Sequence, residues 1–360
     1  MPDAVAEQIA ALRDEDWVVR EEAAAALGTL RDPRAVGPLV GLLKDADRAV
    51  REAAIASLTA IGAPAVPALG VCLDSPDLRM QEAAAQILSR IADAQVVEPL
   101  VRALGSADWI VRMHTAKALG VVGEARAVDP LIPLLQDKVK AVRVEAAQAL
   151  AMIGQAALPR LLEALGHDDW LVRLHAVEAL GRLRASDAVE PLLSSVFNDA
   201  DAAVREDAVR SLGEIGDARA VEFLITLTDD VALRHLAVEA LGKIGDARAV
   251  PVLVGVIRGE NRPAETRRVS GCADGWDQEM FALEAAVKAL ATIREPSTIP
   301  VLVGALQNTV VRAEAATALT AFGQAAIGPL LEVVRSEKDG NILYYAKESL
   351  AQLGWRAGRI

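Results

Sequence analysis

A leucine returns along this chain at Leu27, Leu58, Leu88, Leu119, Leu150, Leu180, Leu212, Leu241, Leu290, Leu319 and Leu350. The intervals are 31, 30, 31, 31, 30, 32, 29, 49, 29 and 31 residues. A beat held eleven times confines the fold to stacked copies of one supersecondary unit, because such a unit cannot bury its apolar face alone. The words around the leucine recur as well. Trp17-Val18-Val19-Arg20, Trp109-Ile110-Val111-Arg112 and Trp170-Leu171-Val172-Arg173 each end seven residues before it. The one long interval marks an insertion, roughly Gly259 to Gln278.

Each unit reads as two helices. The first has a proline near its start, at Pro38, Pro67, Pro99, Pro130, Pro159, Pro191, Pro251, Pro300 and Pro329, where a backbone donor is lost and the helix bends. The second follows a capping aspartate, namely Asp16, Asp47, Asp108, Asp169, Asp201, Asp230 or Asp339. It stops at a glycine four residues beyond the leucine, at Gly62, Gly123, Gly154, Gly216, Gly245, Gly323 or Gly354, a place suited to left-handed backbone. Short connections make neighbouring helices antiparallel. At 100° per residue, positions −8, −4, −1, 0 and +3 relative to the leucine share one face, as Val142, Ala146, Ala149, Leu150 and Ile153 do. The expected fold is an all-α solenoid of about eleven helical hairpins, one body over residues 1–360 with an inserted loop at about 259–278.

Composition agrees. The chain is 52% hydrophobic but only 3% aromatic, which suits many thin helix contacts better than one large core. No apolar run approaches the roughly 18 residues of a membrane span. Met1 to Asp16 lacks a signal pattern. Cys72 and Cys272 stand alone, so no disulfide framework is implied. These features lead us to expect a soluble, cytoplasmic protein with no membrane partner. A net charge of −12 argues against a nucleic-acid partner, because phosphate binding needs a basic stripe.

The pattern Asp-x-x-Val-Arg-x-x-Ala-x-x-Ala-Leu-Gly-x-Ile-Gly-Asp-x-Arg-Ala-Val-x-Pro-Leu, followed closely from Asp201 to Val221 and from Asp230 to Val250, resembles the short HEAT-type repeat of the phycobilisome-lyase-like superfamily. The resemblance covers nearly the whole chain. It implies a HEAT-like superhelix, but functions as varied as partner scaffolds, bilin lyases, hydroxylases and DNA-repair proteins. It also implies an Asp–Arg ladder through Arg20, Arg51, Arg112, Arg143, Arg173, Arg205, Arg234 and Arg312, interrupted at Gln81, Leu283 and Leu343, where the interfaces should be looser or specialised.

The second helices of such solenoids line the concave face. Position −6 there reads Glu21, Glu52, Glu82, Met113, Val144, Leu174, Glu206, His235, Glu284, Ala313 and Tyr344. The apolar middle, with its neighbours, makes a candidate patch of Trp109, Ile110, Met113, His114, Val144, Glu145, Trp170, Leu171, Leu174 and His175. Exposed apolar groups gathered in one place mark contact surfaces, and tryptophan is a common anchor. With acidic residues flanking it, the patch should suit a basic or amphipathic protein segment. The insertion is a second candidate through Arg262, Arg267, Arg268, Cys272 and Trp276; Phe281, Glu284, Tyr344 and Tyr345 are a third.

Nothing in the chain composes a catalytic or metal site. It has no His-Glu dipeptide, phosphate loop or nucleophile elbow, and His114 and His175 lie two repeats apart. No cofactor or metal is expected. The reading is a non-catalytic scaffold or adaptor that binds a protein or peptide on its concave face. The alternative is a bilin-lyase-like, chromophore-handling protein using the groove lined by Trp, Met and His.

Overall fold

The computed structural model describes residues 3–91, 94–260 and 273–355, the side chains of 94 and 273–278 excepted. Among the described residues every regular element is helical, and the fold is an all-α solenoid of helical hairpins, as the repeat demands. The chain divides into two compact units, residues 1–183 and 184–360.

Among the described residues the first unit holds six hairpins. They are α1 (Ala4–Ala11) with α2 (Trp17–Leu30), α3 (Val36–Leu42) with α4 (Arg48–Ile61), and α5 (Val66–Leu73) with α6 (Leu78–Leu88). Then come α7 (Val97–Ala103) with α8 (Trp109–Val122), α9 (Val128–Leu131) with α10 (Lys140–Ile153), and α11 (Leu158–Ala164) with α12 (Trp170–Leu183). The second unit holds five among the described residues: α13 (Val189–Asn198) with α14 (Ala202–Ile215), α15 (Val221–Leu227) with α16 (Arg234–Ile244), and α17 (Val250–Arg258) with α18 (Ala273–Ile293). The last two are α19 (Ile299–Ala305) with α20 (Arg312–Thr320) and α21 (Gln324–Ser336) with α22 (Gly340–Gln352). Helix α18 begins at Ala273, so the last residues of the span expected as loop are helical.

The recurring leucine is the core of every hairpin. All eleven are 0% exposed. Burying one contributes roughly 1.5–3 kcal/mol, and alanines such as Ala54, Ala146 and Ala237 beside them let the layers close. A glycine after the leucine permits the closest approach between neighbouring second helices. A Cβ on Gly120 would lie 2.7 Å from the Ala149 Cα, and one on Gly28 would lie 2.9 Å from the Ser57 Cα. Those glycines let α8 press on α10 and α2 on α4. Thr59 holds the same place in α4, and α4 packs much less extensively on α6.

Both helix ends follow the expected chemistry. Asp16, Asp47, Asp77, Asp108 and Asp201 each accept the backbone N–H two residues on. The glycines four beyond the leucine all have positive φ, between 59° and 82°. Arg31, Arg184 and Arg294 occupy that position in hairpins without the glycine, and they adopt φ of 50°, 53° and 57°. Left-handed backbone strains a side chain bearing Cβ. Arg31→Gly should therefore stabilise the protein by about 0.5–1 kcal/mol, the strain relieved less the extra freedom of glycine when unfolded. An unchanged or lower urea midpoint would contradict this.

The arginine seven before the leucine belongs to the architecture. Its guanidinium clamps the carbonyls that end the preceding helix: Arg20 to Asp14 and Glu15, Arg112 to Ser106 and Ala107, and Arg173 to His167 and Asp168. Its carboxylate partner is not the capping aspartate but one in the next hairpin. Arg20 pairs with Asp45 at 2.9 Å and Arg112 with Asp137 at 2.7 Å. Where arginine is missing, Gln81 keeps a neutral version of the link, donating to the Ser75 carbonyl and accepting the Ser106 hydroxyl.

Candidate binding surface

The capping aspartates decide how the apolar candidates are presented. Asp108 accepts the Ile110 N–H at 2.7 Å and Asp169 accepts the Leu171 N–H at 2.8 Å. Trp109 and Trp170 therefore open α8 and α12 at equivalent places, and each is 42% exposed. Helices α8, α10 and α12 lie side by side in the first unit. They bring Ile110 and Met113, then Val144, then Leu171 and Leu174, into successive rows, and all five are half-buried. The tryptophans are not packed away beneath the next hairpin.

His114 and Glu145 share this surface and differ from ordinary surface polar groups. The His114 Nδ1 and Glu145 Oε1 are hidden from water and have no hydrogen-bond partner. Burial, with Lys117 and Arg90 close by, holds the His114 imidazole below its usual value. Burial pushes the Glu145 carboxyl above its usual value, against the pull of Lys117 and Arg182. His114 should thus titrate below the ordinary value of about 6.5. Between the two values the unfolded chain binds more protons than the folded one, so stability falls as pH is lowered through that window. His114→Leu should remove this part of the acid-side loss in urea midpoints taken at pH 7.5 and 5.5. An identical loss in the variant would contradict it.

His175 departs from the expectation. It is only 4% exposed and takes no part in the surface. Its Nε2 accepts from the Arg143 Nε at 3.2 Å, which leaves the proton on Nδ1 to be donated to the Glu178 Oε2 at 3.0 Å. Glu178 in turn accepts from Arg182 at 2.9 Å. The cause lies in the ladder. The place held by Asp45 and Asp137 in other hairpins is His167 here, so Arg143 turns to His175. This histidine wires α10 to α12.

The expected acidic border is also altered. Glu52 is tied to Arg48 at 2.7 Å. Arg48, Arg51, Arg79 and Arg90 line one groove of about 700 Å³ between α4 and α6, with Glu52 and Glu82 among them. Reading one repeat position at a time concealed this cluster, because its arginines come from positions −10, −7, −9 and +2 and converge only when the helices pack.

Arg262, Arg267, Arg268 and Cys272 lie outside the described residues, and Trp276 falls in α18 with its side chain outside them. Cys72 is buried, and burial pushes its thiol up. In the second unit Phe281 and Glu284 line a groove with His235, Lys243 and Lys288. Tyr344 and Tyr345 stack edge-on with each other on α22 instead. A second aromatic pair, Phe197 with Phe223, is also exposed. Among the described residues no cluster of three or more His, Cys, Asp or Glu side chains is placed to hold a metal, and no single helix is long and apolar enough to cross a membrane.

The family model described as HEAT repeats matches residues 5–89, 66–151, 128–196, 189–270 and 282–351. No curated protein sequence matches the chain. Among solved structures, the chain is similar to Kap95p in its complex with RanGDP, with 17% identity, 96% of this chain and 57% of that one covered, and a TM-score of 0.65. It is similar to Kap121p bound to the extreme C-terminus of the protein phosphatase Cdc14p, with 14% identity, coverage of 98% and 46%, and a TM-score of 0.63. The chain thus spans about half the length of these karyopherins. The CpcE–CpcF phycocyanin lyase of Nostoc is 25% identical over 69% of this chain and 92% of that one, with a TM-score of 0.35, a superposition too poor to bear on function.

Proposed function

The chain belongs to the HEAT-repeat family, and on that premise we propose that it is a non-catalytic scaffold holding an amphipathic segment of a partner protein across α8, α10 and α12. The observation that carries this reading is the exposure of Trp109 and Trp170 beside the half-buried Ile110, Met113, Val144, Leu171 and Leu174. Three helices at roughly 10 Å spacing span about 20 Å. A partner helix of about fourteen residues covers that distance, its apolar side chains repeating at i, i+3, i+4 and i+7. Solenoids of this fold include the Kap121p complex with a phosphatase C-terminus, which supports a protein segment as the occupant. Arg90, Lys117 and Arg182 around His114 and Glu145 favour an amphipathic segment over a basic one.

The test is a helical peptide library panned on the full chain, with counter-selection on the Met113→Asp, Leu174→Asp double variant. The selected peptides should carry the spaced apolar pattern and should not bind the variant. Peptides that bind both proteins alike would place the interaction elsewhere.

A further inference from the structure

We infer that the groove between α4 and α6 is a second docking site, for an acidic stretch of a partner protein whose carboxylates pair with Arg79 and Arg90. This rests on the reading of the chain as a protein-binding scaffold, but on different residues. The groove, at about 700 Å³, is large enough for several side chains of a bound peptide. Here α6 packs much less extensively on α4 than α4 does on α2 or α10 on α8, which leaves the space open.

Its charge is anomalous for this chain. The protein carries a net charge of −12, and most of its arginines are spent on its own carboxylates or carbonyls. Arg34 is held by Asp3 and Asp32, Arg219 by Asp217, and Arg248 by Asp246. Within the groove, Arg48 is engaged by Glu52, and the Arg51 Nη1 donates to the carbonyls of Asp45 and Ala46. Among the described residues, the guanidiniums of Arg79 and Arg90 have no such partner, and both residues are exposed. Four arginines against two glutamates leave the groove positive. Burial and the nearby Asp108 raise the Glu82 carboxyl above its usual value, against the pull of Arg79. A planar guanidinium recognises a carboxylate bidentately, which favours arginine for this task.

The chemistry fits a peptide better than a nucleic acid. Glu52 and Glu82 stand among the arginines and would repel an unbroken phosphate chain. An acidic peptide can space its carboxylates to avoid them. Arg90 also lies close enough to bear on His114, so the groove and the apolar surface on α8 are neighbours. One partner can then lay an apolar stretch on α8 to α12 and an acidic flank on α4 and α6.

The experiment is fluorescence anisotropy of a labelled ten-residue peptide of glutamate, glycine and serine, titrated with the full chain at low and moderate salt. The peptide has no apolar side chains, so its binding does not depend on the tryptophan surface, and either site can fail without the other. Saturable binding is expected, at least tenfold weaker with Arg79→Ala and Arg90→Ala together and tighter with Glu52→Gln. Arg335→Ala, an exposed arginine of the second unit, should leave it unchanged. No saturation, equal loss with Arg335→Ala, or tighter binding of a ten-nucleotide oligouridine would overturn the inference.

Discussion

Arg112→Ala should destabilise the protein by about 3–5 kcal/mol, the cost of removing one member of a buried ion pair. The side chains of Arg112 and Asp137 are 8% and 11% exposed. The guanidinium meets the carboxylate in a fork, Nε to Oδ2 at 2.7 Å and Nη2 to Oδ1 at 2.9 Å. Its Nη1 also satisfies the carbonyls of Ser106 and Ala107. Alanine would leave two carbonyls short of a donor and a carboxylate with the Val139 N–H and the nearby Lys138 charge alone to offset its burial among the described residues. Lysine would recover part of the loss, because a point charge cannot reproduce the fork. The exposed pair of Arg34 with Asp3 has close contacts too, but solvent screens it and its removal should matter little.

The same pair sets a pH dependence. Burial pushes the Asp137 carboxyl up, but the Arg112 hydrogen bonds and the Val139 N–H outweigh it, and the group ends below its usual value. A carboxyl depressed in the folded state adds stability above its unfolded value of about 3.9. That contribution is lost as pH falls through the folded value. Urea unfolding of wild type and Arg112→Ala from pH 7 to pH 3 should show the gap between them narrowing toward the acid end. A gap that stays constant would mean the cavity, not the charge, dominates.

The second large effect is on binding. Met113→Asp with Leu174→Asp should weaken an amphipathic ligand by about a thousandfold, if each residue is an anchor worth about 2 kcal/mol or more. Both side chains are half-buried, so each aspartate keeps its charge in water and the folded state persists. Leu119→Asp is the contrasting case. That residue is 0% exposed, and a charge there would have no solvent to reach. Calorimetric titration with a selected peptide, alongside the far-ultraviolet spectrum and thermal midpoint, separates the two outcomes. Retained affinity in the double variant would remove the surface from the argument. Lost helicity would place Met113 and Leu174 in the core.

The hairpins were legible in the letters because their causes are local. A buried leucine, a capping aspartate and a left-handed glycine act within one hairpin or on its nearest neighbour, and each leaves a residue type at a fixed spacing. Leu119, Asp108 and Gly123 could be assigned their roles without a structure. On sequence, Trp109 and Trp170 are surface candidates by their place in the repeat, but packing beneath the next hairpin is equally open to them, and their exposure comes from the structure.

What the letters could not decide depends on which side chains meet across hairpins. His114 and His175 occupy the same repeat position, but His114 is half-buried and His175 fully so, tied to Arg143 where His167 stands in the place of the ladder's aspartate. The α4–α6 groove needed three dimensions for the same reason. Its arginines come from four different repeat positions and converge only where α4 and α6 pack loosely. Periodicity reports the contacts that every hairpin shares. Only packing reports the ones that a single pair of hairpins makes.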